Sequence, residues 1–205
     1  SDAYGHSAGT PIEEWIRKQL KNNGWNVYYP NQFLEKIFIE TGKNEEKITE
    51  LLGSTWWLSL LVSKKQIKAF INGETINRWQ QEGADLVLVI EKDLFKDLNN
   101  ILLLNIKSHE ASRESRPPNI MSAQRLLEFL YLITSKSDYD KLLDSTNLWF
   151  IGVDYNASGK GAVIKSIIIK DLFKLDISKI PQINFDAAIQ IQWHVKDMIE
   201  KDQTK

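Results

Sequence analysis

Gly83-Ala84-Asp85-Leu86-Val87-Leu88-Val89-Ile90, a polar connection, and then Ile101-Leu102-Leu103-Leu104-Asn105-Ile106-Lys107 form the stretch that decides the fold. Two apolar runs bounded by polar clusters, with an Asn99-Asn100 turn signal between them, read as a pair of β-strands. An acid opens the first strand, and a polar-x-Lys triplet closes the second. Side chains two apart on a strand share a face, so Asn105 and Lys107 point the same way. If Asp85 sits beside that end, an acid, an amide and an amine converge on one point.

Upstream, Thr10-Pro11-Ile12-Glu13 predicts a helix start: Thr10 caps, Pro11 suits the first helical position and Glu13 completes a capping box. Ile12, Trp15, Ile16 and Leu20 recur as an amphipathic stripe, and Asn22-Asn23-Gly24 stops it. Residues 1–9 are small and polar and read as an N-terminal arm or loop. Trp25 to Tyr29 suits a short strand, Phe33-Leu34 with Ile37-Phe38 a second helix, and Asn44 to Leu52 a third. Trp56 to Val62 is apolar on all sides and reads as core, whereas Ile67 to Trp79 gives mixed signals.

Downstream, Ser108 to Pro118 is polar and proline-terminated, the composition of a surface loop. Asn119 to Ile133 predicts a helix that buries Leu126, Leu127, Leu130 and Ile133. Leu148 to Val153 and Val163 to Ile169 read as strands, with a turn at 156–161. Within 183–198 the apolar spacing fits a strand and a helix alike. No repeat or low-complexity tract divides the chain, so residues 1–205 read as a single α/β domain.

Composition narrows the chemistry. Cysteine is absent, which excludes disulfides, thiolate nucleophiles and cysteine-based zinc sites, and agrees with a reducing cytoplasm. No apolar run reaches the ~18 residues of a membrane helix. The formal net charge of −1 announces no polyanion partner, but binding depends on local patches. Lys64-Lys65 with Lys68, Arg113 with Arg116, and Lys160 with Lys165 are such clusters, each of which by itself reads as a solvated face. His6, His109 and His194 lack the spacing of a zinc trio. Gly159-Lys160-Gly161 lacks the rest of a phosphate-binding loop.

The converging polar ends suit phosphodiester hydrolysis. That reaction needs an activated water and neutralised phosphate charge, and Mg²⁺ supplies both when held by a few hard oxygen ligands. Asp85 and the backbone carbonyl of Ile106 are such ligands, and a second carboxylate belongs at 105. Lys107 would orient or deprotonate the attacking water. The same residues also fit a simpler reading, in which Asp85 and Lys107 form an ordinary ion pair of an α/β interaction domain.

At these positions the chain resembles the HincII-like type II restriction endonucleases of the PD-(D/E)xK superfamily. Gly83-Ala84-Asp85 is similar to the first acid strand, with Ala84 in place of the motif's proline, and Asn105-Ile106-Lys107 stands at the Asp-x-Lys. Gly5-His6-Ser7-Ala8-Gly9-Thr10-Pro11 with Glu13 resembles the family's lead into its first helix. Pro118-Asn119-Ile120-Met121-Ser122-Ala123 resembles its base-recognition segment, and Ile183 to Val195 a near-terminal stretch. The matches span almost the whole chain in the right order.

The resemblance implies a restriction-endonuclease-like core, a central mixed β-sheet flanked by helices. It implies a prokaryotic cytoplasmic homodimer that cuts double-stranded DNA at a short palindrome, with Mg²⁺ as cofactor, while the departures from the family point to a site interrupted at its centre, such as GANTC. Asp85, Asn105 and Lys107 become the catalytic set, and Asp85, Asn105 and Ile106 the metal set. Arg116, Asn119, Ser108 and Ser122 become DNA contacts, Asn119 at a base edge and Arg116 at phosphate or guanine. Glu13 is an accessory acid near the metals or dimer interface, or simply the capping-box carboxylate.

Asn105 is the departure that matters. An amide there removes a charge while keeping the shape, so the chain is expected to be impaired in cleavage, as a substitution engineered to let DNA be bound uncut would be. The alternative is a non-cleaving, sequence-specific DNA-binding protein on a nuclease fold.

Overall fold

A computed structural model describes residues 3–48, 68–69, 71–74, 84–89, 101–114, 116–135, 147–159, 161–176, 182–184 and 190–200. The described strands are β1 (Asn26–Tyr28), β2 (Leu86–Val89), β3 (Ile101–Glu110), β4 (Asn119–Ser122), β5 (Asn147–Ser158), β6 (Gly161–Asp171), β7 (Gln182–Asn184) and β8 (Gln190–Gln192). The longer described α-helices are α1 (Ala3–Asn22), α2 (Pro30–Glu40) and α3 (Ala123–Thr134), and residues 45–48, within the third helix expected from the sequence, are helical too. A five-stranded sheet runs β1-β2-β3-β5-β6, and β4-β8-β7 form a separate three-stranded sheet. Only the β3–β5 pair of the larger sheet is parallel, so that sheet is mixed as expected. Among the described residues no helix is long and apolar enough to cross a membrane.

The apolar runs are continuous because the central strands are covered on both faces. Ile101 and Leu103 join Val87, Val89, Leu148 and Phe150 in a core closed by Phe33, Leu34, Ile37 and Phe38 of α2. Leu102, Leu104 and Ile106 join Leu86, Leu88, Ile151 and Val153 in a second core, closed by Ile12 and Ile16 of α1. β2 and β3 pair antiparallel with Leu86 opposite Leu104 and Val89 opposite Ile101. The strand pair read from the sequence is therefore the centre of the sheet.

Four expectations are corrected. Helix α1 begins at Ala3 and carries Pro11 inside it, so residues 3–9 are helix and not an arm, and Thr10 is not its cap. An internal proline costs one backbone hydrogen bond, a loss that the helix tolerates here. β3 continues through Ser108, His109 and Glu110, because parallel pairing with Val153, Asp154 and Tyr155 holds polar residues in the ladder. Residues 119–122 are strand β4, paired with β8, and the helix starts only at Ala123. On α3, Leu126 packs against the core, while Leu127 and Leu130 are exposed together with Tyr131. That helix is apolar on more than one side, and periodicity alone does not choose the buried face. The side chain of Ile133, the Trp56–Val62 run and the 91–100 connection lie outside the described residues. Within 183–198 strand β8 ends at Gln192, and a 3₁₀ turn follows at Val195–Asp197.

Two local arrangements carry predictions. A Cβ on Gly152 would lie 2.9 Å from Phe150 Cε1, in a ring that is buried and fixed by its core. Gly152→Ala should therefore cost about 1–3 kcal/mol, the usual cost of overpacking, read as a lower Tm in a thermal melt. Second, Tyr29 heads α2 and its hydroxyl donates to Glu14 Oε2 of α1 at 2.5 Å, with the Arg17 guanidinium 4.7 Å from the ring centroid. Burial, and then the Glu14 hydrogen bond and charge, push the Tyr29 phenol up to about 12. The folded chain thus keeps a proton that the unfolded chain releases near the ordinary tyrosine value of 10, so this stability contribution is lost as pH rises through that window. A spectrophotometric titration should show Tyr29 titrating late, and Glu14→Gln should move it back toward 10.

Candidate active site

Asp85 is held by backbone and side chain together. Its own N–H donates at 2.8 Å to the carbonyl of Leu104, the residue that faces Leu86 at the end of the β2–β3 ladder. Its Oδ2 accepts from Ile106 N–H at 2.6 Å and lies 3.4 Å from Lys107 Nζ. The acid of the first strand and the lysine of the second therefore meet, as the sequence pattern implied. Their side chains are about one-third exposed, 29% for Asp85 and 32% for Lys107, so the pair borders solvent. Pairs in that setting are screened and contribute little to stability; the arrangement fixes geometry more than it holds the fold.

Asn105 follows Leu103 on the α2-side face of β3, while Leu104 and Ile106 face α1. It shares that face with Lys107 yet is only 2% exposed. Its Nδ2 donates to the backbone carbonyl of Ile120 in β4 at 2.6 Å. This contact brings the start of β4 to the metal-candidate end of β3. Asn119, next to Ile120, is exposed and accepts on Oδ1 from Gln192 Nε2 at 2.8 Å. Sequence reasoning missed both partners. Nothing in a sequence marks a backbone carbonyl as an acceptor, and Gln192 lay in the segment where strand and helix could not be separated.

The other named residues are more dispersed. Arg116 is exposed on the connection between β3 and β4. Ser122 ends β4 and is 4% exposed. Ser108 follows Ile106 on the α1 side of β3, the face opposite Lys107. Glu13 lies on α1, which covers that same opposite face, and its charge helps to raise the Tyr29 phenol. The structure thus gathers Asp85, Asn105, Ile106 and Lys107, brings Asn119 close through Ile120, and leaves Ser108, Ser122, Arg116 and Glu13 outside that cluster.

The donors suit a hard cation and not a soft one. Asp85 Oδ1 carries no hydrogen bond among the described residues, and it is not sealed from solvent. On a strand the N–H and C=O of one residue point to the same edge. Because the N–H of Ile106 reaches Asp85, its carbonyl faces that side too. A carboxylate oxygen and a backbone carbonyl are the ligand types that Mg²⁺ uses alongside water and substrate phosphate. Among the described residues no group of three or more His, Cys, Asp or Glu gathers to hold a metal, so this fit rests on a single carboxylate.

Comparison with known proteins extends this local picture over the chain. The model of the family described as restriction endonuclease HincII matches residues 2–204. The type II restriction enzyme HindII of Haemophilus influenzae strain Rd is 30% identical over 198 residues, covering 95% of this chain and 72% of that enzyme. The type II restriction enzyme HincII of Haemophilus influenzae is similar to the same extent, 30% over 198 residues and 72% of its length.

Proposed function

The chain belongs to the HincII restriction endonuclease family, and we propose that it is a Mg²⁺-dependent, site-specific DNA endonuclease whose cleavage Asn105 impairs. The observation that carries this reading is the meeting of Asp85, the Ile106 backbone and Lys107 where β2 stops beside the longer β3. Asp85 and the Ile106 carbonyl would hold the cation. When bound, Mg²⁺ polarises the phosphate and acidifies a water. Lys107, one-third exposed and beside Asp85, orients the attacking water and offsets charge on the phosphate. Its ion pair with Asp85 fixes where the amine stands before substrate arrives.

Asn105 contributes an amide where the second carboxylate of such a site belongs. Metal affinity falls with the missing charge, because a divalent cation surrenders its water shell reluctantly and repays that cost chiefly against anionic oxygen. DNA readout falls to Asn119, whose amide can pair with a base edge in the major groove and whose rotamer Gln192 restrains. Arg116, exposed on the adjoining connection, supplies a phosphate contact. A short palindromic site implies two copies of the chain related by a two-fold axis, each presenting one active site to one strand.

Asn105→Asp should raise Mg²⁺-dependent cutting of plasmid DNA by on the order of 10²-fold, the effect of one well-placed charge-stabilising group, and give discrete fragments on a gel. EDTA should abolish it. A reverted protein that binds DNA selectively yet never cuts would establish a non-cleaving DNA-binding protein instead. Failure to bind mixed duplexes even at low salt would leave Asp85 and Lys107 as an ordinary ion pair.

A further inference from the structure

The strand that carries Lys107 and the strand that carries Asn119 belong to different sheets, so no ladder joins them. A side-chain hydrogen bond joins them instead. The β4–β8 register passes from Asn119↔Gln192 to Met121↔Ile191 and skips Ile120, the mark of a bulge. A bulge leaves its extra residue outside the ladder. The carbonyl thus freed accepts from Asn105 Nδ2 at 2.6 Å, at a residue only 2% exposed, where water hardly competes. Asn119, the proposed base reader, is the next residue along the chain.

We propose that Asn105 is a positioning residue for DNA readout, its amide tying β3 to the bulge of β4 and so fixing Asn119 relative to the catalytic end. The inference rests on the DNA-cleaving reading above and adds a role for the amide that the reading treats only as a lost charge. Without a metal ion a donor is required at 105, because the partner is a carbonyl with only lone pairs to offer. An ionised aspartate has no N–H or O–H, and with no cation between them it would turn an oxygen toward the Ile120 oxygen. Alanine would remove the tie and leave the carbonyl buried without this partner. In either case β4 loses its anchor at the residue beside Asn119. Bidentate base contacts depend on the placement of both amide atoms, so a displaced Asn119 loses discrimination first. Phosphate contacts, which are sequence-independent, remain.

The test uses the full chain in EDTA, so that cleavage does not intervene. The parent protein first selects its preferred duplex from a randomised library. Affinities for that duplex and a scrambled one are then measured for the parent, Asn105→Ala and the near-isosteric Asn105→Asp, along with the salt dependence of binding and amide hydrogen exchange over residues 119–122. Both variants should lose about tenfold or more in the preferred-to-scrambled ratio, keep the parent's salt slope, and exchange faster over 119–122. The Asp variant keeps the question answerable if the Ala variant fails to fold. A ratio that survives in a folded variant overturns the positioning role, whether or not exchange quickens. A parent that selects no duplex overturns the DNA reading itself, and that outcome is distinct from a parent that selects while its variants select equally well.

Discussion

The carboxylate of Asp85 accepting the Ile106 N–H is the contact on which the site depends. It fixes the acid against a neighbouring strand's backbone, a partner that has no rotamers of its own. It also depends on register: with Leu86 opposite Leu104, Asp85 falls beside Asn105 and within reach of Ile106. A slip of one residue would turn every side chain to the other face and separate the acid from the lysine. That slip is opposed by the two cores, which sort the apolar residues of β3 into Ile101 and Leu103 on one face and Leu102, Leu104 and Ile106 on the other. The apolar register thus determines where the polar site forms.

β3 is also asymmetric across its width and along its length. On one edge β2 ends at Leu86, so the backbone near Ile106 is not all committed to a ladder there, and its amide turns to a side chain. On the other edge β5 accompanies β3 as far as Glu110, holding the strand straight past the site. Along the strand, Asn105 is nearly dry while Lys107, two residues on, borders water. Charge interactions strengthen as solvent is excluded. A cation there would meet its one anionic oxygen at Asp85, on the solvent-bordering side, while the drier position offers a neutral amide.

What the sequence could show followed from periodicity and local chemistry. The β2–β3 pair, the shared face of Asn105 and Lys107, and the fit of Asp85 beside them all follow from an alternation of two. The first helix was legible in its stripe of Ile12 and Ile16, but its start was not, because Pro11 and Thr10 imitate a cap where the helix passes through. β4 was hidden for a different reason. Its four residues form a strand only because β8, some seventy positions away, pairs with them, and a local window holds no trace of that partner. Leu127 and Leu130 failed for a third reason, since an apolar helix with several candidate faces is oriented by its neighbours. In these last two failures a long-range contact overrode a valid local preference.

Position 105 draws these threads into one conflict. The proposed chemistry asks for an anion there, to hold a divalent cation with Asp85. The fold asks for a donor there, because the bulge of β4 turns the Ile120 carbonyl toward the same side chain. No ordinary side chain of that size meets both demands at neutral pH: aspartate gives the charge and asparagine gives the N–H. With asparagine, the two sheets are tied whether or not a cation is present, and the metal site keeps one carboxylate. With aspartate, cation binding would itself have to offset the repulsion between two buried oxygens, so metal occupancy and the placement of β4 would become linked. The amide therefore separates two events that a carboxylate would couple, and it does so through a single hydrogen bond between the strand proposed to cut and the strand proposed to read.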